Sequence, residues 1–392
     1  MTSANRPVAE APTKSTAAPA VARGPRGTQR VDAAVLGATF GLLLVSGVLL
    51  RVGALRPDNL LGAASYNHIF SAHSVLTLAA LPSVLLCCTP GTKPNVGLRA
   101  VIATSFLIGA AVAGLGKGGL VVMLGGAALF VWYLVRPHLR SPAGIVLAIA
   151  TITTAGGWVG VLAGQPAPMA MALVPVVLAA LVLPVLALRT AGKAVGGVGF
   201  LGSVVAYAVC WAIARFSVAA APLAIPELVA GLVVGVAVFR SARLEATSWT
   251  TWARRVEAIL FVEGLMLVVL IQIIGGEAPL NDTQFAVGAV HFQAFVLIFA
   301  LLRQLHHAAT RLGWTGLLLA AVGSQIFGWG CTALGASGMP RRYTGYLETF
   351  TSLQAATSCG AFLLFAGILL VTIAQLLSSV SDQSGRTANR KT

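Results

Sequence analysis

The sequence predicts an all-α integral membrane protein of about twelve transmembrane helices. Three observations predict this class: 57% of the 392 residues are hydrophobic, only 9% are charged, and long apolar runs follow one another with short polar spacers between them. A chain with so little polar surface cannot cover a water-soluble globule. The bilayer is therefore its expected solvent.

A membrane-spanning helix needs roughly 20 apolar residues, and the chain contains about twelve runs near that length. In chain order, the predicted spans lie near 32–51, 66–88, 98–115, 118–135, 142–163, 168–188, 195–214, 221–239, 256–275, 284–303, 312–334 and 352–378. Residues 32–378 are thus predicted to form one transmembrane domain without a soluble domain.

Two polar tails flank this domain. Residues 1–31 are rich in Ala, Pro, Thr and Arg and lack the apolar stretch of a signal peptide, so they predict a disordered basic cytoplasmic tail. Residues 379–392 predict a polar cytoplasmic tail.

The basic residues between the spans predict the orientation, because short cytoplasmic loops retain Lys and Arg. With the N-terminus in the cytoplasm, most of them fall in inner loops, among them Arg254 and Arg303. This placement indicates membrane topology and argues against a nucleic-acid partner, although 26 basic residues face 11 acidic ones. A smaller basic group falls on the outer side: Arg51, Arg56, Lys117, Arg215, Arg341 and Arg342.

Two histidines lie inside predicted spans at matched depth. His73 follows Tyr66, where the second span begins, by the same seven residues that separate His291 from Gln284, where the tenth span begins. At roughly 1.5 Å per residue, both imidazoles lie about 10 Å below the outer surface. Two such histidines can ligate one haem iron from opposite faces, and polar groups inside a membrane are often functional. The alternative is a pair of unrelated core histidines, each hydrogen-bonded to a neighbouring helix.

A segment near the C-terminus carries a family resemblance. The run Gly338-Met339-Pro340-Arg341-Arg342-Tyr343, followed by Tyr346, resembles the outer loop between the last two helices of subunit I of the haem-copper oxidases, the cytochrome c oxidase superfamily. The resemblance implies that Arg341 and Arg342 pair with haem propionates, since guanidinium groups bind carboxylates in a bidentate manner. The alternative is two ordinary loop arginines.

A second segment resembles the first two helices of that family. Arg51, Pro57, Leu60-Leu61-Gly62, Tyr66-Asn67 and Ala72-His73 occur in the family's order, with one residue fewer between the Gly and the Tyr. The resemblance implies that His73 is a ligand of the low-spin haem and that Arg51 contacts the edge of that haem. An arginine at this position is compatible with haem a and with haem b, so the haem type stays open.

A third segment concerns the tenth span. Asn281-Asp282-Thr283 resembles the family's His-Asp-Thr, which precedes a His-Phe-His. Without a gap, Ala289 replaces the ligand of the oxygen-reducing haem, and His291 matches the second ligand of the low-spin haem. An alternative alignment, shifted by two residues and requiring an insertion, makes His291 the high-spin ligand and Gln293 its substitute.

The family's oxygen-reducing centre also needs a copper ion held by three histidines. Between His73 and His291 the sequence has one histidine, His138, in a predicted inner loop. We therefore expect no copper and no oxygen reduction by this chain alone. Glu263, near the middle of the ninth span, is the candidate for a proton-coupled role. Its alternative is a neutral carboxyl hydrogen-bonded between helices.

Together these observations predict a respiratory membrane protein, similar to cytochrome c oxidase subunit I, that transfers electrons through one low-spin bis-histidine haem. The expected partners are the lipid bilayer, other membrane subunits of a respiratory complex, and an electron donor such as a cytochrome, a copper protein or a quinol. The expected location is the plasma membrane of a bacterial-type cell, with both termini in the cytoplasm. The alternatives are a structural or assembly subunit without a redox role, a functional terminal oxidase subunit, or a transporter, which only the number of spans supports.

Overall fold

The computed structural model describes six α-helices and the short segments that join some of them. The described residues are 26–55, 220–245, 247–274, 283–305, 309–340 and 346–388, together with residue 280 and scattered residues within 62–77, 104–128 and 202–210. Within these residues the helices are α1 (Arg26–Gly53), α2 (Ala220–Ser241), α3 (Ser248–Ile274), α4 (Gln284–Gln304), α5 (Arg311–Ala336) and α6 (Thr351–Ala388).

Five of the described helices, α2 to α6, are long and apolar enough to cross a membrane. This finding confirms an all-helical, multi-pass class for the described part of the chain. The five match the predicted spans from the eighth to the twelfth, and α1 matches the first, although its apolar part is only Gly37–Gly53. The second to seventh predicted spans lie outside the described residues apart from isolated positions. The described residues therefore do not support the prediction of twelve transmembrane helices.

Two helices extend beyond the boundaries that the apolar runs predict. The first begins at Arg26, within the predicted disordered tail of residues 1–31, and the last continues to Ala388, within the predicted polar tail of residues 379–392. Once an apolar segment has formed a helix, each further residue adds one hydrogen bond at little cost, so a polar extension stays helical. Hydropathy alone therefore placed both boundaries too close to the apolar core.

Threonine side chains define where α4 and α5 begin. Thr283 Oγ1 accepts a hydrogen bond from the Phe285 amide at 3.2 Å, and Thr310 Oγ1 accepts one from the Gly313 amide at 3.2 Å. Both residues have extended backbone angles before the first helical turn. Such N-caps satisfy amide groups that have no partner within the helix.

The closest packing among the described helices joins α5 to α6, through glycines. A Cβ at Gly316 would lie 2.6 Å from the carbonyl oxygen of Gly367, and one at Gly360 would lie 2.6 Å from the Phe327 amide nitrogen. Only glycine lets the two backbones approach so closely, as is usual where membrane helices associate. The α4 helix packs against both α3 and α5, and every residue from 292 to 303 is buried.

The helices run in alternating directions, so the described structure has two ends. At one end, which we call the Arg51 end, Arg51 on α1 reaches Gln354 on α6, and the Gln284 amide donates to the Met339 carbonyl at 2.9 Å. At the opposite end, the Arg303 end, α4 finishes beside the beginning of α3. The fold therefore places the start of α4 and the last turn of α1 at the same level.

Four charged side chains at the Arg303 end form a buried ion quartet: Glu245, Arg254, Glu257 and Arg303. Arg254 Nη1 lies 2.8 Å from Glu257 Oε2, and Arg303 Nε lies 2.9 Å from Glu257 Oε1. Glu245 Oε1 accepts from Arg254 Nη2 at 3.1 Å and from Arg303 Nη1 at 3.4 Å. Two arginines and two glutamates leave no net charge.

The placement of Arg254 and Arg303 in inner loops is wrong. Both lie within helices, and their side chains are 0% and 5% exposed. Each carboxylate of the quartet contacts both guanidinium groups. Although both arginines lie near the end of an apolar run, they therefore belong to buried ion pairs and not to solvated loops.

Candidate functional site

Ser46 on α1 holds the imidazole of His73. The Ser46 hydroxyl lies 3.0 Å from His73 Nδ1 and 2.8 Å from the Leu42 carbonyl oxygen. A carbonyl oxygen only accepts, so the hydroxyl is the donor in its bond to Leu42. With its one proton used there, its oxygen accepts from Nδ1–H of His73, and in that arrangement Nε2 is the nitrogen with the lone pair.

His291 on α4 has the same arrangement with a different partner. Its Nδ1 lies 2.8 Å from the Val287 carbonyl oxygen, one helical turn earlier. Because a carbonyl oxygen only accepts, Nδ1 carries the proton, and Nε2 again keeps the lone pair in the neutral ring. No described residue hydrogen-bonds to Nε2 of either histidine.

The structure brings His73, His291 and Arg51 together near the Arg51 end. The two imidazoles are within electrostatic range of each other, and the Arg51 guanidinium is within range of both. Arg51 Nη1 donates to Gln354 Oε1 at 3.2 Å. Its guanidinium carbon also lies 4.6 Å from the centre of the Phe327 ring. The charge of Arg51 is therefore oriented beside the histidine pair.

Aromatic rings surround the His291 imidazole. The ring of Phe327 on α5 lies 4.8 Å from it, centre to centre, and that of Phe295 lies 5.8 Å from it. Phe295 and Phe327 also contact each other edge to face at 5.8 Å. These rings make the surroundings of the imidazole apolar and fix its orientation.

Gly47 gives His73 its space on α1. A Cβ at this position would lie 3.3 Å from His73 Cε1 and 2.5 Å from Cζ of Phe365 on α6. Any side chain at this position would have to displace the Phe365 ring. Gly47 therefore allows His73 and Phe365 to approach α1 at the same level.

Arg341 and Arg342 lie outside the described residues. The chain is held on both sides of them at the Arg51 end. Pro340 forms an antiparallel bridge with Thr283 before α4, and the Tyr346 hydroxyl donates to the Ala54 carbonyl at 3.1 Å. Burial raises the pKa of the Tyr346 phenol, while a hydrogen bond with Thr351 acts in the opposite direction. The phenol therefore keeps the proton that it donates to Ala54.

The two alignments of the tenth span assign different roles to Ala289 and Gln293, and both residues are packed against protein. Ala289 is 1% exposed. Gln293 is fully buried and points towards α3, where its Nε2 donates weakly to the Phe261 carbonyl at 3.4 Å and packs against Gly264. The Gln293 amide therefore lies at a different helix contact from the His291 imidazole.

Glu263 on α3 hydrogen-bonds to two side chains of α5 and not to the histidine pair. Its carboxylate accepts from Gln325 Nε2 at 2.8 Å and from Trp329 Nε1 at 3.4 Å. Trp329 Nε1 also lies 3.2 Å from Gln325 Oε1. Glu263 thus belongs to a polar group of three side chains on neighbouring spans.

Several residues of the histidine site were not predicted from the sequence. Ser46, Gly47, Gln354, Phe327 and Phe365 are ordinary members of apolar runs. The sequence did show a hydroxyl inside a predicted span, that of Ser46, five residues before Arg51. A serine within a helix commonly bonds only to a carbonyl of its own helix. The sequence cannot show that the same oxygen also meets a histidine on another helix.

Among the described residues, no three His, Cys, Asp or Glu side chains form a group that could hold a metal ion. A haem iron needs only two protein ligands, one on each face. Comparison with protein-family models and with curated proteins finds no match to this chain. The site therefore has to be interpreted from its own chemistry.

Proposed function

We propose that this chain is a membrane-embedded electron-transfer protein that holds one low-spin haem between His73 and His291. The observation that carries the proposal is an arrangement that the two histidines share: Nδ1 of each lies within hydrogen-bond distance of a protein oxygen. A proton on Nδ1 then leaves the lone pair on Nε2 of each ring. Metal-bound histidines generally donate their second N–H in this way, which fixes the ring and increases the basicity of the coordinating nitrogen.

The surroundings of the pair fit a haem. Arg51 supplies a positive charge beside both imidazoles, which suits an anionic propionate or a polar haem edge. Phe295 and Phe327 supply the apolar contacts that a porphyrin needs. The resemblance to haem-copper oxidase subunit I supports the same ligands and adds Arg341 and Arg342 as propionate partners.

In this proposal each residue has a defined part. His73 and His291 hold the group, Ser46 and the Val287 carbonyl orient the imidazoles, and Arg51 stabilises negative charge. A bound haem would supply one-electron chemistry, alternating between ferric and ferrous iron. With two histidine ligands no iron position remains for a diatomic gas, so the protein moves electrons and does not reduce oxygen.

The chain would form a bundle of about twelve spans similar to oxidase subunit I, in the plasma membrane of a bacterial-type cell with both termini in the cytoplasm. The basic residues that remain in predicted inner loops, such as Lys93 and Arg136, support that orientation. Other respiratory membrane subunits and an electron donor would be its partners, and copper is not expected.

The test is an optical spectrum of the purified protein. We expect a pyridine haemochrome assay to give one haem per chain, and the reduced-minus-oxidised spectrum to show a low-spin band. His73→Ala and His291→Ala should each abolish that band, because the loss of an axial ligand leaves the iron five-coordinate or releases the haem.

His138→Ala is the matched control, because its histidine lies in a predicted inner loop, and it should keep the band. A wild-type protein without haem would overturn the proposal. So would a low-spin spectrum that both span histidine variants leave unchanged.

A further inference from the structure

A polar trio lies midway along the described spans: Glu263 on α3 with Gln325 and Trp329 on α5. The three side chains are joined by hydrogen bonds of 2.8, 3.4 and 3.2 Å. Glu263 is partly exposed and Trp329 is 45% exposed. The three side chains bond to one another, and polar groups at this depth in a bilayer are costly and often functional.

Apolar side chains border the trio on the same two helices. Met266 on α3 and Val322 and Ile326 on α5 are all exposed in the structure. A carboxylate that can accept a proton thus lies beside an amide and an indole N–H, within an apolar surface. This combination matches an amphipathic ligand with a hydroxylated ring and a hydrocarbon tail.

Aromatic rings connect the trio with His291. The Trp329 ring lies 5.6 Å from Phe292, Phe292 lies 6.5 Å from Phe295, and Phe295 lies 5.8 Å from the His291 imidazole, all between ring centres. Gly328 makes the first contact possible, since a Cβ there would lie 2.7 Å from Phe292 Cε1. The rings therefore form a continuous series of contacts from the exposed indole to the histidine.

We propose that the trio binds the head group of a membrane quinol, which donates electrons to the haem held by His291. This inference rests on the proposed function. The Glu263 carboxylate accepts one hydroxyl hydrogen bond of the quinol with a remaining lone pair, and the second N–H of the Gln325 amide donates to the quinol. The exposed indole of Trp329, whose N–H is already bonded within the trio, packs against the quinol ring.

Breaking both O–H bonds of one quinol releases two protons and two electrons, and the quinol becomes a quinone. Glu263 receives one proton, and water receives the other. The electrons would pass singly to a bound ferric haem, which a one-electron acceptor protein would return to the ferric state between transfers.

A helix of another membrane subunit could also satisfy polar side chains at this depth. Such a helix would explain the hydrogen-bonding groups, but it would not require a series of rings from the indole to His291. The ring contacts therefore favour a redox ligand.

The binding test uses the haem-loaded protein and a short-chain azido-quinone as a photoaffinity probe. Labelling should map by mass spectrometry to peptides containing residues 259–270 or 322–329, and a non-reactive short-chain quinone should compete with it. Glu263→Gln and Trp329→Leu should each reduce labelling at least fivefold. Glu348→Gln and Trp314→Phe, a carboxylate and an indole elsewhere, should label like the wild type. Labelling elsewhere in the chain, or equal labelling of all variants, would overturn the proposal.

The kinetic test measures reduction of the haem by a short-chain quinol in stopped flow. Glu263→Gln should slow it at least tenfold, whereas dithionite should reduce the variant fully and give an unchanged spectrum. Wild-type haem that dithionite reduces but quinol does not would overturn the quinol site and leave the haem proposal intact. Absence of haem would instead overturn the proposed function itself. A neighbouring subunit that cross-links to Trp329 and excludes the probe would also refute the quinol site.

Discussion

The hydroxyl of Ser46 determines the state of the His73 ring. The hydroxyl donates a hydrogen bond to the Leu42 carbonyl, so its oxygen is placed to accept from Nδ1–H. Without this oxygen the ring could rotate or change tautomer, and Nε2 would no longer be presented as the basic nitrogen. A single serine thus gives a rigid ligand on an otherwise apolar helix.

Ser46→Ala is expected to weaken haem binding about tenfold to a hundredfold, the range found when the hydrogen-bond partner of a metal ligand is removed. The measurement is haem retention during dilution in detergent, combined with the midpoint potential in a redox titration. The weaker donor Nε2 should also shift that potential upwards, because a less basic ligand stabilises ferric iron less.

Thr372→Ala provides the control for Ser46→Ala. Thr372 Oγ1 bonds at 2.9 Å to the Ile368 carbonyl of its own helix, as Ser46 does with Leu42, but among the described residues it has no hydrogen bond with a histidine. It should leave haem retention and potential unchanged. Equal effects of the two substitutions would show that Ser46 acts only within its helix.

At the scale of helices, the buried ion quartet connects α3 to α4. Glu257 lies between Arg254 of its own helix and Arg303 of the next, at 2.8 and 2.9 Å. Pairing of this kind keeps buried charge from being uncompensated. The quartet therefore sets the register of the two helices at the Arg303 end.

Glu257→Ala should destabilise the protein by about 3 to 5 kcal/mol, because it leaves two buried guanidinium groups with one carboxylate. The measurement is the unfolding free energy in detergent from denaturant titration, followed by circular dichroism. Glu348→Ala, which removes an exposed carboxylate, should change it by less than about 0.5 kcal/mol. Similar values for both variants would contradict the role of the quartet.

At the scale of the whole molecule, the basic residues predict a cytoplasmic C-terminus. A green fluorescent protein fused after Thr392 should fluoresce, whereas alkaline phosphatase at the same place should be inactive, because the first folds in the cytoplasm and the second outside it. The opposite result would reverse the orientation and place His73 and His291 near the inner surface.

Composition was sufficient to predict the helices that the structure describes. The apolar runs from 221 to 378 correspond to α2 through α6, since bilayer thickness requires a minimum length. Their ends were less predictable. Arg254 looks like a loop residue in a linear sequence, and only the tertiary structure reveals the carboxylates of Glu245 and Glu257 around it.

The histidine site was predictable only in part. Matched depth on two spans indicated His73 and His291, and the resemblance added Arg51. The groups that orient them were not predictable, because hydrogen bonds such as that of Ser46 to His73 join residues far apart in the chain. The aromatic partners of His291 also come from different helices, which spacing along one helix cannot reveal.

We expect the buried ion quartet to constrain how the protein enters the membrane during synthesis. Before α4 emerges from the ribosome, α3 and the turn before it carry Glu245, Arg254 and Glu257, and the balancing Arg303 arrives only at the far end of the next helix. Releasing α3 alone into lipid would leave the two carboxylates of the quartet with only one of its two arginines. We therefore expect α3 and α4 to leave the translocation channel as a pair, so that α3 enters the bilayer only after α4 has been synthesised.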